Sequence, residues 1–136
     1  MPDISHVGRR YTAEGMVVDA EGAARFAAAV AGADAVAADL GEVPPTFAAV
    51  YCLFPGLGQI FLDPELGIRL EGMIHGEQSF DWHQPVHAGD TLDVAATIAA
   101  IEPKRGRQHI TVELEAVRSG SGEKVLTGRA LLLVAA

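Results

Sequence analysis

Cysteine is nearly missing from this sequence. Cys52 stands alone, which excludes an internal disulfide and a Cys-based zinc cluster and fits a reducing cytoplasm. Cations are few: ten Lys and Arg face 18 Asp and Glu, for a formal net charge of −8. Neutralising the phosphates of a nucleic acid needs basic surface, so a nucleic-acid partner is not expected. Aromatic residues make up only 6% of the chain, which leaves few large rings to anchor a core. No run reaches the roughly 18 uninterrupted apolar residues of a membrane-spanning helix. The first 20 residues lack the basic stretch and apolar run of a secretory signal. These absences point to a soluble, acidic, cytoplasmic protein with no membrane attachment.

What is present suits one domain over residues 1–136. A chain of this length buries roughly two-thirds of its unfolded surface, so a true core is available without a metal or disulfide. Much of the 49% apolar content is alanine, clustered between Ala20 and Ala49. Such a core depends on close backbone approach more than on large anchors.

The hydrophobic period divides the chain in two. Residues from Asp19 to about Ala31 are strong helix formers, with Asp19 placed as an N-cap, Glu21 in the first turn and Gly32 as a stop. A polar, small connecting segment follows over residues 33–43. Pro44-Pro45 opens a second helix from Thr46 to about Leu62, apolar nearly all round and therefore buried on most sides. Pro55-Gly56 should kink or break it. After Pro64 the period becomes two, with a long strand spanning Leu70 to His83. Three more strands centre on Leu92–Ile98, Ile110–Ala116 and Val125–Val134, separated by turns at 87–90, 103–106 and 119–122. Short hairpin links require antiparallel pairing. The expected fold is α+β: a curved antiparallel sheet wrapped around a central buried helix. Phe80, Trp82 and the run Leu131–Val134 put apolar groups on both sheet faces, which implies a covering partner, as in a dimer.

Three segments then carry a resemblance. Val43-Pro44-Pro45-Thr46-Phe47, Ile74-His75-Gly76-Glu77-Gln78-Ser79-Phe80 and Gln84-Pro85-Val86-His87-Ala88-Gly89-Asp90-Thr91-Leu92 occur in order. Together with Val7-Gly8-Arg9-Arg10-Tyr11, they resemble the N-terminal MaoC-like dehydratases, hot-dog-fold relatives of (3R)-hydroxyacyl-thioester dehydratases. The likeness runs from about Val7 to Val134, with a shorter segment than relatives carry between Gly32 and Val43. It implies an acyl-CoA or acyl-carrier-protein thioester as ligand, no cofactor, and a homodimer or a heterodimer with a MaoC-like catalytic subunit. It also implies that Pro45, Thr46 and Phe47 lie at the helix end near the thioester; Tyr51 and Phe54 read either as pocket lining or as ordinary core.

Hydration of an enoyl thioester needs an acid/base pair around one water and donors for the thioester carbonyl. The resemblance implies an Asp and a His about five residues apart, ahead of the buried helix, in a Gly-Asp-x-Asn-Pro-x-His motif. That motif is missing here. No His lies between His6 and His75, and residues 46–62 contain no ionisable acid or base apart from Tyr51 and Cys52. His75 and Glu77, at i and i+2 on a strand, would share a face about 6–7 Å apart. They are the remaining acid/base candidates, weighed against a polar network or a dimer-facing contact. His83, His87 and His109 read as surface groups, and no spacing suggests a metal site. Gly89-Asp90 reads as a turn. Pro55-Gly56-Leu57-Gly58 is not a dinucleotide fingerprint, and Cys52 reads as a buried, inert thiol. The one basic cluster, Lys104, Arg105 and Arg107, is either a solvated hairpin tip or a landing site for a CoA phosphate or an acidic carrier.

The leading expectation is a hot-dog dehydratase subunit without its own dyad, working with a catalytic partner. A stand-alone hydratase or thioesterase using His75 and Glu77, or a non-enzymatic acyl-thioester binding module, are the alternatives.

Overall fold

The computed structural model describes residues 1–31 and 43–135. Five antiparallel strands form one sheet: β1 Arg10–Val17, β2 Ile74–Trp82, β3 Thr91–Lys104, β4 Arg107–Arg118 and β5 Lys124–Ala135, in the order β1-β3-β4-β5-β2. One sheet face packs on a helical stretch from Pro45 to Leu62. Ile98, Ile110, Val112, Leu126 and Leu132 are fully buried beneath it. Leu131 and Leu133 alternate onto the other face and are half-buried.

The strand β1 escaped the sequence reading. Its alternation is carried by weakly apolar residues and is broken where the register slips between Ala13 and Met16. Gly15 sits there at φ 68°, and a bulge of this kind shifts the side-chain phase. The strand expected over Leu70–His83 is confined to Ile74–Trp82. Leu70–Met73 instead makes a turn closed by the Met73 N–H to the Leu70 carbonyl at 3.1 Å, with Gly72 at φ 76°. Two-residue alternation cannot tell a turn from a strand when the apolar members are this few.

Both expected helices are present. The first, α1, runs Ala20–Ala31, with the Asp19 carboxylate accepting from the Gly22 N–H at 2.8 Å. Phe26 packs edge-on against Phe47, ring centroids 5.3 Å apart. The helix stop expected at Gly32 and the shortened connection after it lie outside the described residues.

The central helix is built in three gauges. A 3-10 turn covers Pro45–Phe47, a π-turn covers Ala49–Leu53, and α2 covers Phe54–Leu62. The π-turn explains why Pro55 does not break it. A proline removes one donor and its ring crowds the carbonyl four residues earlier. Here the Phe54 N–H reaches back five residues to the Ala49 carbonyl, and the widened turn takes up the mismatch. Pro45–Leu62 is also long and apolar enough to cross a membrane by length and composition, with a mean hydropathy of 1.4 over 18 residues. That corrects the expectation that no such segment exists. In this fold the segment lies against the sheet. Gly56, Leu57 and Ile60 are buried there, while Val50, Phe54 and Leu62 are exposed, so burial is less complete than the composition suggests.

A polar clasp ties the end of α2 to β1. The Asp63 carboxylate accepts from the Tyr11 hydroxyl at 2.6 Å and from the Arg9 guanidinium at 2.9 Å, and Arg9 also meets Glu65 at 2.7 Å. Hydrogen bonds from Tyr11 and Arg9 hold the Asp63 carboxyl down at about 2, below its ordinary 3.8. Burial and the Asp63 hydrogen bond push Tyr11 up to about 12. A depressed carboxyl contributes stability that is present above its unfolded value and lost as pH falls through the folded one. Acid unfolding should therefore gain a component between about pH 4 and pH 2 that Asp63→Asn removes, read from far-UV circular dichroism across an acid titration.

Candidate functional site

A cleft of about 340 Å³ opens where the start of the central helix meets the end of β2. Val43, Pro45 and Tyr51 line one side, and Trp82, His83, Gln84, Pro85 and Val86 the other. The Val43 N–H donates to the Val86 carbonyl at 3.3 Å and so ties the approach to the helix to the opposite wall.

That wall is braced from behind. Arg118 on β4 donates to the Asp90 carboxylate at 3.0 Å and to the Pro85 carbonyl at 2.8 Å. Asp90 also accepts from the His87 N–H at 2.9 Å, and Gly89 takes φ 88° at the bend. The Gly89-Asp90 turn expected from the sequence is thus present. Burial would raise the Asp90 carboxyl, but the His87 N–H and Arg118 outweigh it and hold it below its ordinary value. The result is a rigid rim made from a chain segment with little regular structure of its own.

The cleft is mostly apolar, with one buried hydroxyl and the polar side chains of His83 and Gln84 in its lining. Tyr51 is almost fully buried, and burial raises its phenol pKa, so the group stays protonated at neutral pH. The Trp82 Nε1–H donates to the Tyr51 oxygen at 3.3 Å, and Trp82 leans on Phe80 with centroids 5.7 Å apart. With one lone pair of the phenol used, its own O–H remains a donor for a ligand in the cleft. His83 is held by Thr127 Oγ1 at 3.0 Å. Among the described residues no carboxylate lines the cleft.

The expected site residues separate on the structure. Pro45 and Tyr51 line the cleft. Thr46 lies at its approach and is exposed. Phe47 is buried between Phe26 and Tyr51 and belongs to the core. Phe54 is exposed and lies outside the cleft. Cys52 is buried and its thiol is pushed up to about 12 by burial, as expected of an inert thiol.

His75 and Glu77 do not share a face. The β2–β5 register slips between them, so that they sit opposite Leu132 and Leu131, which are successive residues and point to opposite faces. The extra residue is Gly76, where a Cβ would come within 2.9 Å of Leu133. His75 Nε2 instead pairs with Gln78 Oε1 at 3.0 Å. The i, i+2 geometry assumed for an acid/base pair is overturned by the bulge, and His75 stands in a polar contact.

Lys104, Arg105 and Arg107 occupy the β3–β4 hairpin tip, far from the cleft of the same chain. Arg107 pairs with Ala135 at the end of β5, beside Ile74, while Trp82 pairs with Leu126 at the opposite end. Nine residues of strand, about 27 Å, separate the two ends.

Val43, Trp82, His83, Gln84, Pro85 and Val86 line the cleft without being among the expected lining residues, and His83, read from the sequence as a surface group, stands in its wall. The chain's one tryptophan, partly exposed on an edge strand beside a turn rich in Pro and His, was the available signal.

The model of the FAS1-like dehydratase domain region matches residues 5–128. A UPF0336 protein of Thermobifida fusca is 35% identical over 91 residues, covering 67% of this chain and 59% of that one. Another from Cutibacterium acnes is 39% identical over 100 residues, covering 72% and 70%. The chain spans little more than half the length of the Thermobifida fusca relative and of a Streptomyces coelicolor one. Among solved structures, a chain of the C-terminally truncated HadBC (3R-hydroxyacyl-ACP dehydratase) complex of Mycobacterium tuberculosis superposes with a TM-score of 0.72. Identity is 24%, over 94% of this chain and 96% of that one. A MaoC-like dehydratase gives a TM-score of 0.76 at 24% identity, over 96% of this chain and 42% of that one. The chain therefore belongs to the family of the FAS1-like dehydratase domain region, and its helix-wrapping sheet is the hot-dog fold of the MaoC-like dehydratases.

Proposed function

We propose that this chain is the substrate-binding subunit of a (3R)-hydroxyacyl-thioester dehydratase, paired with a MaoC-type chain that supplies the Asp and His. The observation that carries the reading is the cleft at the helix start. It has mostly apolar walls that also include His83 and Gln84, one protonated Tyr51 hydroxyl as a donor for a carbonyl, and no carboxylate among the described residues. Such a site holds and orients an acyl thioester, and among the described residues it pairs no carboxylate with His83 to move a proton at Cα and hydroxide at Cβ. The missing Gly-Asp-x-Asn-Pro-x-His motif supports the same division of labour, as does the likeness to one chain of a two-chain dehydratase complex.

Trp82→Ala tests the site. It removes a wall and the donor that fixes Tyr51, and truncating a central aromatic anchor of this kind costs about 2 kcal/mol of binding, roughly 30-fold in Kd. Isothermal titration with crotonyl-CoA should show that loss with the folded state intact by circular dichroism. An unchanged Kd would place the thioester elsewhere.

A further inference from the structure

Four of the chain's ten cations gather at one end of the sheet, opposite the cleft. Lys104 and Arg105 cap the β3–β4 hairpin, and Arg107 donates to the Gly72 carbonyl at 2.8 Å, just ahead of β2. Arg69 lines the same hollow as Val134 and Ala135, and Ala135 pairs with Arg107. None of these four makes an ion pair among the described residues, nor do Arg10 and Lys124, which lie elsewhere on the sheet, whereas Arg9, Arg25, Arg118 and Arg129 all do. In a chain of net charge −8, a cluster of unpaired cations marks a place where an anion is favoured.

The cluster is out of reach of its own cleft but stands beside a free sheet edge. β2 is the last strand of the sheet and, among the described residues, leaves one side of its backbone unpaired along Ile74–Trp82. Both edge strands carry a bulge, β1 between Ala13 and Met16 and β2 between His75 and Glu77, but β2 is the edge that ends at the cleft, where Trp82 lines it. Two hot-dog chains that meet edge to edge around a two-fold axis must pair these strands antiparallel. The Ile74 end of one β2 then lies beside the Trp82 end of the other. In the joined sheet, one chain's Arg107 is three strand spacings, about 15 Å, from the other's β2 and cleft end. Within a single chain the separation is about 27 Å.

We infer that Arg69, Lys104, Arg105 and Arg107 form an anion site that serves the cleft of the chain paired across β2, there holding the phosphate end of a CoA-linked thioester. This rests on the subunit reading above. Applied to a complex with a MaoC-type chain, it gives this subunit a direct part in the partner's catalysis: its basic tip grips the nucleotide while the partner's Asp and His act on the acyl end. Planar guanidinium groups suit phosphate oxygens, and the partner's cleft would gain charge that it need not carry itself.

The test is steady-state hydration by the assembled complex of this chain with a MaoC-type chain bearing the Asp/His pair. Activity there reports the partner's cleft, so any effect of this chain's tip acts across the interface. Lys104→Glu/Arg105→Glu should raise KM for crotonyl-CoA by at least about 10-fold with kcat unchanged, since each bond to a charged group is worth about a factor of ten or more. It should leave KM for crotonyl-N-acetylcysteamine, which has no phosphate, where it was. Lys104→Ala/Arg105→Ala gives the same ordering should the charge reversal disturb assembly, which size-exclusion chromatography reports. An unchanged KM for the CoA thioester, or an equal rise for both thioesters, overturns the anion site while leaving the subunit reading in place. A wild-type complex that hydrates neither thioester overturns both.

Discussion

The purified chain is expected to bind crotonyl-CoA and leave it unhydrated, and a MaoC-type partner carrying Asp and His is expected to raise hydration at least about 100-fold. The size of the step follows from what is missing. General acid–base catalysis by positioned groups contributes about 10²–10⁴ to a rate, and none of the arrangements found here supplies such a pair. Tyr51 is a neutral donor held by Trp82. His83 is engaged by Thr127. His75 pairs with Gln78, with Glu77 turned to the other sheet face. Hydration followed by loss of enoyl absorbance would be ambiguous with a contaminating hydratase, so the comparison needs the His75→Ala variant as well. The same basal trace from both proteins supports the partner reading. Vigorous turnover by the isolated chain, abolished in His75→Ala, would sink it and restore a stand-alone enzyme.

Gly56→Val is expected to cost about 2 kcal/mol and to lower the thermal midpoint by roughly 8 °C. At Gly56 the central helix approaches the sheet so closely that a Cβ would come 2.8 Å from a methyl of Leu114 and 3.2 Å from the Ala96 Cβ. Leu114 could rotate away, but Ala96 has no freedom to yield. Valine adds two further methyls to a site with no void for them, a cost that outweighs its slightly better helix propensity than glycine. Gly58, two residues on and about 200° round the same helix, meets nothing within 4 Å. Gly58→Ala should therefore stabilise through helix propensity alone, by up to about 1 kcal/mol. Differential scanning calorimetry of the two variants gives opposite signs if the close approach is real; a midpoint for Gly56→Val within 1–2 °C of wild type, about 0.5 kcal/mol or less, would contradict it.

These two results bear on how far the sequence could be read. Both helices were legible because their signals are local: Asp19 caps α1 within three residues, and the apolar run from Pro45 to Leu62 is contiguous. The missing acid/base motif was legible for the same reason, being an absence at named positions. The strands β3, β4 and β5 showed themselves through clean alternation and glycine-marked turns. Where a bulge intervened, alternation misled. Gly15 hid β1, and Gly76 turned His75 and Glu77 to opposite faces when their spacing put them on one.

The sequence by itself determined the α+β class, the central apolar helix, the inertness of Cys52 and the absence of the Asp/His motif, because each rests on neighbours in the chain and on the solvation of single side chains. Only the tertiary structure decided which residues make the cleft. Tyr51 and Trp82 are 31 positions apart and meet because β2 is hydrogen-bonded last in the sheet, alongside the helix start. It also decided that the basic tip stands away from the cleft of its own chain. Strand order and direction set both distances, and neither quantity is written in any local pattern of residues.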